Sequence, residues 1–109
     1  VTGLPCAGGD VRHLSRMPKE DATVVTRLRE AGGIILGKTT VTANSEAYGK
    51  VCNPYNLDYS PWGSSSGEAA LIASGGSPLG LGSDSGGSIR QPAHVCGIAG
   101  LKPSTGRVP

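Results

Sequence analysis

Apolar positions along this chain recur first at helical spacing and then in a short unbroken run, and that alternation happens twice. Val24, Val25, Leu28 and Ala31 share one face at the 3.6-residue period, with Pro18, Glu20 and Asp21 in front and Gly32-Gly33 behind. This pattern predicts a helix over residues 20–31. Ile34-Ile35-Leu36 then predicts a short buried strand. The second round opens at Ser66-Gly67-Glu68, runs through the small residues of 69–74 as a helix and stops at Gly75-Gly76. Pro78-Leu79-Gly80-Leu81 follows as its strand. A third short helix is predicted from Ser88 or Ile89 to Cys96, with Pro92 tolerated near its first turn. Residues 44–61, rich in Asn, Pro, Tyr and Gly, predict a long ordered loop. Helix–strand alternation of this kind argues for an α/β layer around a buried sheet, although these strands are too few to close one.

Composition sharpens that picture. The chain has 109 residues, 18 of them Gly and 8 Pro, with no Phe and 4% aromatics, so little bulky material is available to fill an interior. A chain of this size forms at most one small domain, and its loop-rich character suggests a slice of something larger. The net charge of +2 is small and its basic residues are interleaved with acids, which gives nucleic-acid binding no support. Cys6, Cys52 and Cys96 are odd in number, far apart and without C-x-x-C spacing, so neither a zinc site nor a disulfide framework is indicated. They read as buried free thiols, which favours a reducing cytoplasm. No apolar run approaches the ~20 residues of a membrane-spanning helix and no leader pattern is visible, while association with a membrane surface stays open.

The candidate chemistry lies in two Ser–Gly turns, Gly63-Ser64-Ser65-Ser66-Gly67 and Gly82-Ser83-Asp84-Ser85-Gly86-Gly87-Ser88. Glycines let backbone N–H groups turn toward a reacting oxygen, and a serine beside them can act as a nucleophile. Ser88 would open a helix with N–H groups around its hydroxyl, as an oxyanion hole requires. The same placement suits a simple N-cap, and the octamer alone fits either role equally well. A phosphate loop is disfavoured because Glu68 stands where such a loop needs Lys. The histidines give a serine no obvious base: His94 lies six positions after Ser88 on the same short helix, and His13 sits in a polar segment with no acid placed to orient it.

Taken in order, the two turns and their flanks resemble the amidase signature family. The matching segments are Gly63 to Gly67, Glu68 to Ser74, Pro78 to Gly82, Ser83 to Pro92 and Cys96-Gly97-Ile98-Ala99-Gly100-Leu101-Lys102-Pro103. Upstream, Glu20 to Thr23, Leu28 to Gly32 and Gly37-Lys38-Thr39 extend the match over nearly the whole chain. The resemblance implies an α/β fold with a mixed sheet core surrounded by helices, of which residues 1–109 are one partial amidase domain, incomplete at both ends.

It also implies a Ser-cisSer-Lys hydrolase that cleaves small-molecule amides or esters through an acyl-enzyme, with no cofactor and no metal. By position, Ser88 matches the nucleophile and Ser64, 24 positions earlier, the bridging serine after a cis peptide bond. The N–H groups of Ser85, Gly86, Gly87 and Ser88 match the oxyanion hole. Ser65, Asp84 and Arg90 match residues that brace these loops, and Ser45 is the position in 43–48 most suited to line the substrate pocket. Trp62 and Ser66 depart from the pattern, standing where the family usually has glycine. The family's catalytic lysine belongs upstream of Val1, and Lys38, in a Gly-Lys-Thr segment at a strand end, does not take its place. An isolated 1–109 is therefore expected to be inactive. The scaffold around Glu68 and 75–82 looks nearest the fatty-acyl-amide branch of a family that also acts on aryl amides, urea derivatives and charged transfer RNA. A non-catalytic remnant or interaction module is the alternative.

Overall fold

Helix α1 (Thr23–Glu30) starts three residues later than its periodicity predicts. The acids in front of it are drawn elsewhere: Asp21 accepts the Thr2 N–H at 2.6 Å and pairs with Arg29 Nε at 3.0 Å, tying the N-terminal segment to the helix. The computed structural model describes all residues, 1–109. A single 3-10 turn, Val11–His13, precedes α1, and helices α2 (Ser66–Ala73) and α3 (Arg90–Val95) follow. All three helices end alike. A glycine in the left-handed region (Gly32, Gly75, Gly97) sits just past the end, and the next N–H reaches back to the Leu28, Leu71 or Ala93 carbonyl at 2.8–3.0 Å. With the glycine's own N–H on the Arg29, Ile72 or His94 carbonyl, this pair of hydrogen bonds satisfies carbonyls that the helix end leaves open.

The two predicted strands do not form. Neither 34–39 nor 77–86 takes part in any backbone-to-backbone hydrogen bond, and Ile34 and Leu36 are 85% and 69% exposed. A strand exists only through its neighbour, and these residues supply no neighbour for either run. The sheet that is present lies inside the predicted loop: β1 (Asn44–Ser45) and β2 (Gly49–Lys50) pair antiparallel, Asn44 opposite Lys50. Asn53 orders the rest of that loop, donating Nδ2–H to the Val95 carbonyl at 2.8 Å and accepting the Tyr55 N–H.

Burial is thin and made of small residues. Only 12 of 109 residues are buried, among them Ala69, Ala93, Cys96 and Ser66, and these lie where α2 and α3 meet. The chain is thus a small mixed α/β unit whose best-packed part is the pair of helices behind the two Ser–Gly turns. Of the three cysteines only Cys96 is buried, whereas Cys6 and Cys52 are half-exposed, correcting the expectation of three buried thiols. All three are free. No helix is long and apolar enough to cross a membrane.

Candidate active site

Asp84 organises the second turn. Its side chain is fully shielded and accepts hydrogen bonds from the N–H groups of Gly87 (2.6 Å), Ile89 (3.1 Å) and Arg90 (3.2 Å). Arg90 closes the cage with Nε at 3.0 Å and Nη2 at 3.1 Å. The Arg90 guanidinium, assisted by these amides and opposed by desolvation, holds the Asp84 carboxyl well below the usual carboxylate range. A short polar side chain thereby wraps residues 84–90 around itself and fixes where Ser88 sits.

Gly87 spends its N–H on Asp84. The N–H groups of Ser85, Gly86 and Ser88 donate to no protein acceptor. Helix α3 starts beyond Ser88, and its N-cap position falls to Ile89, so Ser88 does not cap the helix. The Ser88 hydroxyl makes no hydrogen bond within the chain.

The first turn is joined to the second by Ser65. Its N–H donates to the Ser88 carbonyl at 3.2 Å, and its hydroxyl accepts the Ser83 N–H at 3.3 Å. Gly82 makes room for this contact, since a Cβ there would stand 2.5 Å from Ser65 Oγ. Ser66, fully buried, donates its hydroxyl to the Trp62 carbonyl, so the two residues that depart from the glycine pattern meet across the turn. Between Trp62 and Ser65 the Gly63–Ser64 peptide bond is cis. Ser65 and Ser66 use their hydroxyls to hold the fold. Ser64 keeps its own free, and its carbonyl accepts the Thr42 N–H at 2.8 Å. Thr42 carried no signal in the sequence, because nothing about a threonine announces a left-handed backbone.

Beside Ser64 and Ser65 lies an open cavity of about 890 Å³, walled by the two extended segments, Ile34 to Val41 and Ser77 to Ser83. Glu68 sits at its floor, accepting the Thr39 hydroxyl at 2.5 Å and abutting Gly80. Lys38 also lines it, and its ammonium near the Cys6 thiol, opposed by desolvation and assisted by Arg16, lowers the thiol below its ordinary value. A second cavity of about 380 Å³ lies among Asn53, Tyr55, Tyr59 and Trp62.

The structure brings Ser64, Ser65, Asp84, Ser85, Gly86, Gly87, Ser88 and Arg90 into one cluster. Ser45 stands apart from it: it is 5% exposed, donates to the Gly9 carbonyl, accepts the Tyr48 N–H and lines neither cavity. An acid does stand beside His13, contrary to expectation. Asp10 Oδ2 lies 3.8 Å from its Nδ1, although Arg12 holds the same carboxylate at 2.5 Å. No three His, Cys, Asp or Glu side chains are grouped to hold a metal ion.

The family described as Amidase has a sequence model that matches residues 1–109. Among curated proteins the chain is 56% identical over 99 residues to one of the subunits of the Glutamyl-tRNA(Gln) amidotransferase of Halothermothrix orenii, covering 84% of this chain and 20% of that protein. It is 46% identical over 110 residues to the protein of the same name in a Synechococcus species, covering 94% and 22%. The chain therefore spans about a fifth of the length of these relatives. Among solved structures, Kluyveromyces lactis allophanate hydrolase is similar with a TM-score of 0.77 at 36% identity, over 85% of this chain and 16% of that one. None of these carries the name of a fatty-acyl-amide hydrolase, so that branch gains no support.

Proposed function

The chain belongs to the amidase family, and from that premise we propose that its two Ser–Gly turns form the nucleophile half of an amide-cleaving site. One observation carries the reading. Ser65 and Ser66 commit their hydroxyls to structure, while Ser64 and Ser88, joined through the Ser65–Ser88 backbone bond, keep theirs unbonded. Free hydroxyls at the junction of two braced loops are what a nucleophile and a proton relay need.

In this mechanism Ser88 Oγ attacks the amide carbon and passes its proton to Ser64 Oγ. Ser64 passes its own proton to a neutral lysine amine that residues outside 1–109 supply, and the cavity beside Ser64 leaves room for that side chain. The carbonyl oxygen gains the negative charge, which the N–H groups of Ser85, Gly86 and Ser88 stabilise. Gly87 serves by anchoring Asp84 rather than by donating to the oxyanion. The C–N bond then breaks, the leaving nitrogen takes back the relayed proton, and water hydrolyses the Ser88 ester. Relatives named as components of an amidotransferase favour a carboxamide substrate that releases ammonia, working within a larger assembly. Free Cys6, Cys52 and Cys96 favour a reducing compartment.

Activity-based labelling tests this reading. The full-length polypeptide that carries these residues should be phosphonylated by a fluorophosphonate at Ser88, with loss of fluoride, the Ser88→Ala variant should not, and Ser64→Ala should label at least about a hundredfold more slowly. A folded, full-length protein that resists the reagent would instead be a non-catalytic remnant or interaction module.

A further inference from the structure

Two residues other than glycine hold a left-handed backbone, Thr42 at φ +66° and Trp62 at φ +59°, and both touch the Ser64 loop. For a β-branched residue this conformation is a genuine outlier, retained only where the surroundings over-determine it. At Thr42 the surroundings are explicit. Its N–H donates to the Ser64 carbonyl at 2.8 Å, and its hydroxyl donates to the Asn44 carbonyl at 2.9 Å at the edge of the β1–β2 hairpin. Its Cα would lie 3.6 Å from a Cβ placed on Gly63, so the two segments run in close contact. On the other side Trp62 is held at both ends, its N–H by Ser60 Oγ at 3.0 Å and its carbonyl by Ser66. The left-handed turn at Thr42 aims an otherwise outward N–H at the carbonyl of the proposed relay serine.

We infer that Thr42 is a positioning residue for Ser64: its backbone N–H, aimed by the left-handed turn and anchored by the Thr42–Asn44 bond, sets the Ser64 hydroxyl relative to Ser88. This rests on the serine-relay reading above. A residue kept only for stability should improve on becoming glycine, which takes φ > 0 without steric cost. A residue kept to aim another should lose function while the fold is unharmed.

The test uses the full-length polypeptide, measuring melting temperature and the second-order rate of Ser88 phosphonylation by a fluorophosphonate. Thr42→Gly should melt no lower than the parent yet label about tenfold or more slowly, because a loosened loop misplaces the relay. Thr42→Ser, which keeps the hydroxyl bond to Asn44, should recover most of the rate. Because the effect runs through Ser64, Thr42→Gly should cost nothing further in a Ser64→Ala background. Parent-like labelling of Thr42→Gly, or losses that add in the double variant, overturns the inference while leaving the serine relay intact. Absence of Ser88-dependent labelling in the parent removes both.

Discussion

At the scale of single residues the site depends on one carboxylate. The Asp84 side chain has no exposure, and it collects three backbone N–H groups and two from Arg90, so the shape of the Ser88 loop is written into its charge. Its folded-state pKa lies below the unfolded value of about 3.9. The stabilisation it gives is therefore fully present above that value and is lost as pH falls through the depressed folded one. Asp84→Asn replaces an acceptor of five donors with a neutral amide that has donors of its own, leaving Arg90 without its partner. The variant should melt lower than the parent at neutral pH and be labelled at Ser88 by a fluorophosphonate about tenfold or more slowly. Its melting temperature should also fall less steeply than the parent's when followed from about pH 6 to pH 2. Parallel acid slopes in the two proteins would mean that another carboxylate dominates the acid response.

At the scale of elements, helix α2 shows why a small-residue run is there. Gly67 is the second residue of the helix, where alanine, the better helix former, is ordinarily tolerated. Here a Cβ would stand 2.8 Å from both the N and the O of Thr40 and 3.0 Å from the Thr39 Cβ, and backbone atoms cannot swing aside. The Gly67 N–H also donates to the Thr40 carbonyl at 3.2 Å, so the contact is one the fold uses. Gly67→Ala should therefore destabilise by about 1–3 kcal/mol in denaturant unfolding, while Gly37→Ala, with open space around it, should stay within about 0.5 kcal/mol of the parent. The sequence showed the helices through their periodicity and paired glycines, since both signals are local. It singled out Ser64 and Ser88 as candidates through the glycines around them. It misplaced the start of α1 because Asp21 bonds Thr2, nineteen positions away, and it missed Thr42 because its conformation is imposed by the Ser64 loop. The strands at 34–36 and 78–81 were misjudged for a related reason: an apolar run states that a segment wants burial, not that a partner is at hand.

At the scale of the whole molecule, those two runs set the outstanding physical problem. Ile34, Leu36, Leu79 and Leu81 are 85%, 69%, 66% and 48% exposed around the large cavity, and the backbone of 34–39 has no hydrogen-bond partner within the main chain. Apolar side chains and unpaired extended backbone on one groove are what a sheet presents before its neighbouring strands are added. Relatives of this family are about five times as long, so the polypeptide they represent has ample chain to supply those strands. Amide hydrogen exchange distinguishes the two situations. In residues 1–109 alone, the amides of 34–39 and 79–82 should exchange at nearly the rate of an unstructured peptide, while those bonded within α2 and α3 exchange more slowly. In the full-length polypeptide the same 34–39 and 79–82 amides should be protected by about a hundredfold or more wherever a neighbouring strand takes up their N–H groups as ladder bonds. Equal, fast exchange in both would mean that the groove remains an open surface, and that the exposed leucines and isoleucines face something other than the protein's own sheet.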